Sequence, residues 1–212
     1  MREKDDFGYD LTWLTQHSVN SEYTVEQARE QMNIYAHRDA QLAETGSTAL
    51  QFNNLPYPVA MIGGFLRDID MIPGSVFELY RFLEVGCGSA VKATMASDMF
   101  SYSVHAFDIT DEHVAKSYET VKIFNQEQHV TVEQVCALTF DDYHLYDVIY
   151  LNRLFVGPET QLYLESRVWD MMSPNAFLIL VNGLSTPGND GDLIVSNDRG
   201  GAVYRKTYGN GD

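Results

Sequence analysis

The stretch FLEVGCGSA, residues 82–90, decides how this 212-residue chain is read. Apolar Phe82, Leu83 and Val85 run into Gly86-Cys87-Gly88, and an acid, Glu84, stands two residues before the first glycine. Glycine permits backbone angles and a closeness of approach that a Cβ blocks, and a helix that follows such a turn presents free N–H groups. The segment therefore predicts a strand, a bare turn and a helix start, with a carboxylate inside the strand that needs a reason.

Outward from this point the pattern alternates. Strands are predicted at 80–85, 103–109, 130–138, 146–152 and 176–182, with helices at 90–100, 111–126 (capped by Thr110 or Asp111) and 158–172 (Pro158 first). Near-continuous apolar strands separated by helices mark a parallel sheet covered on both faces. Residues 192–208 read as two strands joined by a turn through Asp198-Arg199-Gly200-Gly201. The expected fold is α/β, a doubly wound and mostly parallel sheet with an antiparallel carboxyl-terminal edge pair and an amino-terminal helical lead-in.

The lead-in carries a capping box at Thr24-Val-Glu-Gln27, opening a helix to about Glu44 that Gly46 closes. A second helix starts at Pro58, and Pro73-Gly74 breaks the chain after it. The expected division is a helical cap over 1–78 and a ligand-binding domain over 79–212.

Composition narrows the classes. Thirty acids stand against 14 Lys and Arg, a formal net charge of -16, which repels phosphate backbones and disfavours a protein that grips long nucleic acid. The two cysteines, Cys87 and Cys136, have neither disulfide-framework nor zinc-ligand spacing, and none of the six histidines has ligand spacing, so no metal site is expected. The polar amino terminus and the lack of an 18-residue apolar window predict a soluble, cytoplasmic protein with no membrane partner.

In such a sheet the ligand lies outside the carboxyl ends of the strands, beside the first turn. The dinucleotide pattern GxGxxG or GxGxxA fails, because its last position is Val91. The spacing that holds is Glu84-x-Gly86-x-Gly88-x-Ala90. This resembles motif I of the seven-strand, Rossmann-like, class I S-adenosylmethionine-dependent methyltransferases, over roughly residues 80–208. The resemblance implies S-adenosylmethionine as cofactor, with Gly86, Cys87 and Gly88 as its loop and Glu84 near its methionine end. Asp108 lies 22 positions beyond Gly86 (108 − 86) and matches the acid that binds the ribose diol. Ile109 would pack beside the adenine, with Ala137 and Leu138 supplying a backbone contact and an apolar wall. Cys136 stands where the family often has an acid, with Asp141 or Asp142 as substitutes.

Acceptor residues usually follow the fourth strand, here YLNRLFVGPE at 150–159. Arg153-Leu154 replaces the paired prolines of amino-group methyltransferases that act on DNA. The stretch, with VWDMMSPNAFLILVNG (168–183), is similar to non-SET histone-lysine methyltransferases. That similarity implies Asn152 at the transfer site, Phe155 on the acceptor channel and Tyr57 closing over the cofactor. The acceptor is expected to be a protein or small-molecule amine, drawn by the acidic surface. Two alternatives stay open: a binding or regulatory module on the same fold, and another enzyme of the same cofactor, such as a lyase or an aminopropyl transferase.

Overall fold

The computed structural model describes residues 3–14, 22–43, 57–72, 80–187 and 190–207. The expected helix stop at Gly46 and the break at Pro73-Gly74 lie outside them. In chain order the elements are α1 (Val25–Ala43), α2 (Val59–Asp70), β1 (Arg81–Val85), α3 (Val91–Phe100), β2 (Ser103–Asp108), α4 (Asp111–Ile123), β3 (Val130–Gln134), β4 (Val148–Asn152), α5 (Pro158–Met171), β5 (Phe177–Val181), β6 (Gly191–Ser196) and β7 (Gly201–Lys206).

The strands form one seven-stranded sheet in the order β3-β2-β1-β4-β5-β7-β6. β1 pairs in parallel with β2 and β4, β2 with β3, and β4 with β5. β7 is antiparallel to both β5 and β6, so it is inserted inside the edge rather than added to it. β6 therefore runs with the parallel strands and only β7 is reversed. The turn between these two closes through Asn197, whose Oδ1 accepts the N–H groups of Arg199 and Gly201.

Strand alternation divides the core. Phe82, Val148, Tyr150, Phe177 and Ile179 face a cluster shared with α1, α2 and α3, whereas Leu83, Val85, Ile149, Leu151, Leu178 and Leu180 face the α5 side. Glu84 shares the parity of Phe82 and so points toward α3. One buried cluster runs from Leu11 and Tyr35 through Ile62 to Val203, joining the amino-terminal helices to the sheet.

The local rules hold at the helix starts. Thr24 N–H donates to Gln27 Oε1 (2.9 Å) and Gln27 N–H to Thr24 Oγ1 (3.2 Å), the reciprocal bonds of a capping box. Thr110, rather than Asp111, caps α4 by accepting His113 N–H. Two lengths differ from expectation. β3 ends at Gln134, because after Val135 N–H bonds Asp108 O the chain turns, with Thr139 and Phe140 N–H donating to Cys136 O. α4 stops at Ile123, where Phe124 leaves helical geometry and Asn125 adopts φ 55°. No helix among the described residues is long and apolar enough to cross a membrane.

Candidate cofactor and acceptor site

Glu84 has a local task. The residue before α3, Ala90, has φ 52° and provides no side-chain cap. Glu84 Oε2 reaches forward from β1 and accepts Ala93 N–H at 2.9 Å, so the strand supplies the cap that the turn lacks. The residue is 2 % exposed. Burial pushes its carboxyl up to about 8, with Asp39 and Asp108 adding to the rise, while Lys92 and the Ala93 N–H oppose it.

The bend itself is left-handed at Gly86 (φ 68°) and Gly88 (φ 58°). A Cβ at Gly86 would overlap the end of Leu154, which reaches across from the segment after β4. Gly88 N–H donates to Asp108 Oδ2 at 3.1 Å. Asp108 Oδ1 accepts Thr110 N–H (3.0 Å) and lies 3.1 Å from His113 Nδ1. Burial pushes the Asp108 carboxyl up, but His113 and the N–H groups of Thr110 and Gly88 outweigh it and leave it below the usual range. His113 is raised in turn, chiefly by Asp108.

These groups open on one cavity. From the first turn it takes Glu84, Gly86, Cys87 and Gly88, and from the end of β2 Asp108 and Ile109. After β3 come Val135, Cys136 and Ala137, and around the end of β4 Tyr150, Asn152, Arg153, Leu154 and Phe155. Nine of the sequence-predicted positions thus meet in one place. Tyr57 and Leu138 are not among the lining residues: Tyr57 is 3 % exposed, stacked with Phe65 and bonded to Asn197, and Leu138 packs on the α5-side core. Asp141 pairs with Arg167 instead of facing the cavity.

Reading the sequence missed several polar lining residues, three of them on helices. Asp39 on α1 and Lys92 on α3 form an ion pair at 2.5 Å, both side chains nearly covered. His113 on α4 is the third. Lys92 and His113 stand in the first turns of the helices that follow the glycines and Asp108, a spacing that could have flagged them. Asp39 had no such signal, since only tertiary packing brings α1 to β1.

At the far end, Asn152 Oδ1 accepts Arg153 N–H (2.9 Å) and Asn182 Nδ2 (3.1 Å), linking the carboxyl ends of β4 and β5. The site therefore has an ion-paired pole (Asp39, Lys92) beside Glu84, a carboxylate beside an apolar wall (Asp108, Ile109, Ala137) and an aromatic lining from Tyr150 and Phe155.

No known family profile and no curated protein matches the chain. Solved structures do match in fold. An RNA methyltransferase from Salinibacter ruber in complex with S-adenosyl-L-homocysteine superposes with TM-score 0.55 at 17 % identity, covering 74 % of this chain and 96 % of that one. An rRNA methylase from Streptococcus thermophilus gives 0.52 at 11 %, over 73 % and 99 %. A candidate O-methyltransferase from Klebsiella pneumoniae gives 0.52 at 10 %, over 84 % and 90 %. The chain has the class I, seven-strand Rossmann-like methyltransferase fold.

Proposed function

We propose that the protein is an S-adenosylmethionine-dependent methyltransferase acting on a protein or small-molecule amine. The observation that carries this reading is the convergence of the left-handed Gly86–Gly88 bend, Glu84 and Asp108 on one cavity.

The residues present fit the cofactor. The glycine bend lines the cavity with backbone, and the carboxylate of Asp108 retains acceptor capacity on Oδ2 beyond its bond to Gly88, as a ribose hydroxyl requires. Exposed Ile109 and the Ala137 segment suit an adenine ring. The Asp39–Lys92 pair offers both signs of charge to an amino-acid zwitterion, with the Glu84 carboxyl beside it. When bound, the cofactor supplies a sulfonium methyl open to in-line displacement, a reaction governed by positioning and exclusion of water. This chain's own part is to orient: Phe155 and Leu154 wall the mouth, and Asn152 fixes the end of β4 through its engaged carboxamide oxygen.

The amine preference draws on the net charge of -16, which favours a cationic acceptor over a polyphosphate chain. We extend the same reading to organisation, with 1–78 as a cap on the domain at 79–212. A second reading, a cofactor-binding module without transfer, is favoured by one observation: both acceptor positions of Asn152 Oδ1 are occupied, so it offers no lone pair to an amine.

Thermal shift with S-adenosylmethionine, S-adenosylhomocysteine and NAD side by side tests the cofactor, because a ligand selective for the folded state raises the midpoint. A rise with the two sulfur nucleosides alone is expected, and a rise with NAD alone would overturn the reading. Methyl-labelled cofactor with cell extract then separates enzyme from module, since a module labels nothing.

A further inference from the structure

Two covered polar side chains on α5 lie outside the cavity lining. Gln161 is 0 % exposed and Glu165 2 %. Gln161 Oε1 accepts the N–H groups of Leu154 (3.0 Å) and Phe155 (3.1 Å), and its Nε2 donates to Glu165 Oε1 at 2.8 Å. Glu165 accepts Leu184 N–H on Oε1 (3.0 Å) and Oε2 (3.1 Å). Its Oε2 also accepts the N–H (2.7 Å) and hydroxyl (2.6 Å) of Ser185. A continuous polar path thus runs from the segment after β4, across about one turn of α5, to the segment after β5.

An apolar pair would fill these positions with less desolvation, whereas a buried carboxylate saturated by fixed donors imposes a geometry. The geometry imposed here is that of the mouth. Leu154, held through its N–H by Gln161, is the residue whose side chain occupies the space over Gly86. We propose that Gln161 and Glu165 are positioning residues that lock the segments after β4 and β5 into one rigid lip, and so set the height of Leu154 above the glycine bend. That the lip borders a cofactor site rests on the function proposed above; that the two segments move together does not.

Amide hydrogen exchange on the full chain tests the coupling, comparing segments 153–157 and 183–187 in the wild type, Gln161→Leu and Glu165→Gln, with 177–181 of β5 as internal reference. Gln161→Leu removes the bonds to the first segment and the link to Glu165, but no bond to the second segment. Faster exchange in both segments, by about tenfold for the loss of one to two hydrogen bonds, with β5 unchanged, is the expected result. Glu165→Gln should give the mirror pattern. Acceleration confined to the segment each residue touches would overturn the proposal, and so would an equal rise throughout the sheet, which is what a merely structural role produces. Should Gln161→Leu fail to fold, Ser185→Ala removes a single hydroxyl donor, and unaltered exchange at 153–157 in that variant overturns the proposal as well. Calorimetry with S-adenosylhomocysteine supplies the functional arm. Weaker binding in the variants supports the link from lip to pocket, and affinity equal to wild type overturns that link. A wild type that binds no S-adenosylhomocysteine sinks the cofactor reading, while the exchange pattern still decides the coupling.

Discussion

Asp108 Oδ2 accepts the Gly88 N–H at 3.1 Å, so the end of β2 and the turn after β1 are one hydrogen-bonded unit. The carboxylate that would meet a ribose also shapes the glycine bend. Asp108→Ala removes both functions, and the expected loss of S-adenosylhomocysteine affinity is roughly 1–3 kcal/mol, the range for charge-assisted bonds. Titration calorimetry measures it, and an unchanged dissociation constant would contradict the assignment of Asp108 to the ribose.

Glu84 makes a prediction in pH. Its carboxyl rises from the ordinary 4.5 to about 8 in the folded chain, mainly through burial. The folded state then holds the proton more tightly than the unfolded state. Its contribution to stability is fully present below 4.5 and is lost as pH rises through about 8. The groups facing it are Lys92, Asp39, Asp108 and the Ala93 N–H. Glu84→Gln keeps an acceptor for that N–H and cannot ionise. The melting temperature of the wild type should therefore fall relative to Glu84→Gln across this window. Parallel Tm-against-pH curves for the two proteins would refute the raised value.

How far the sequence was legible follows the range of the interactions. The glycine bend, the capping box at Thr24 and the buried strands rest on neighbours within a few residues, and each lies where its local pattern put it. β3 was overextended because VCAL is as apolar as a strand, while the turn that ends it depends on Cys136 O receiving Thr139 and Phe140 N–H, a choice of backbone bonds invisible in composition. Asp39 was missed since its role arises from a lysine 53 positions away. Tyr57 was assigned from a short local resemblance, and its contacts, Phe65 and Asn197, are likewise set by tertiary packing.

Asp98 tests how the amino-terminal helices depend on the rest. This residue of α3 accepts the hydroxyls of Tyr23 (2.7 Å) and Tyr35 (2.8 Å) and the Gln31 amide (3.0 Å). Asp98→Ala leaves several covered donors without that carboxylate, a change expected to cost about 2–4 kcal/mol. If 1–78 is a cap built on the sheet's core, urea unfolding should stay a single transition at a lower midpoint. A first transition confined to α1, with the sheet unaffected, would instead mark an independent unit.

The two cysteines differ in access although both line the cavity. Cys87 is 6 % exposed, its Sγ lies 3.3 Å from Ser117 Oγ, and burial, reinforced by Glu84, pushes its thiol well above the usual range. Thiolate is the reactive form, so Cys87 should react slowly. Cys136 is partly exposed on the wall that the proposed adenine would cover. Alkylation with iodoacetamide followed by peptide mass analysis should label Cys136 first, with Cys87 modified only on unfolding. Saturating S-adenosylhomocysteine should slow the Cys136 reaction severalfold, in proportion to occupancy, and adenosine alone should do so at higher concentration. Labelling of Cys136 at the same rate with and without either nucleoside would place the ligand elsewhere, because a ring packed on Ala137 and Ile109 cannot leave the neighbouring thiol equally open.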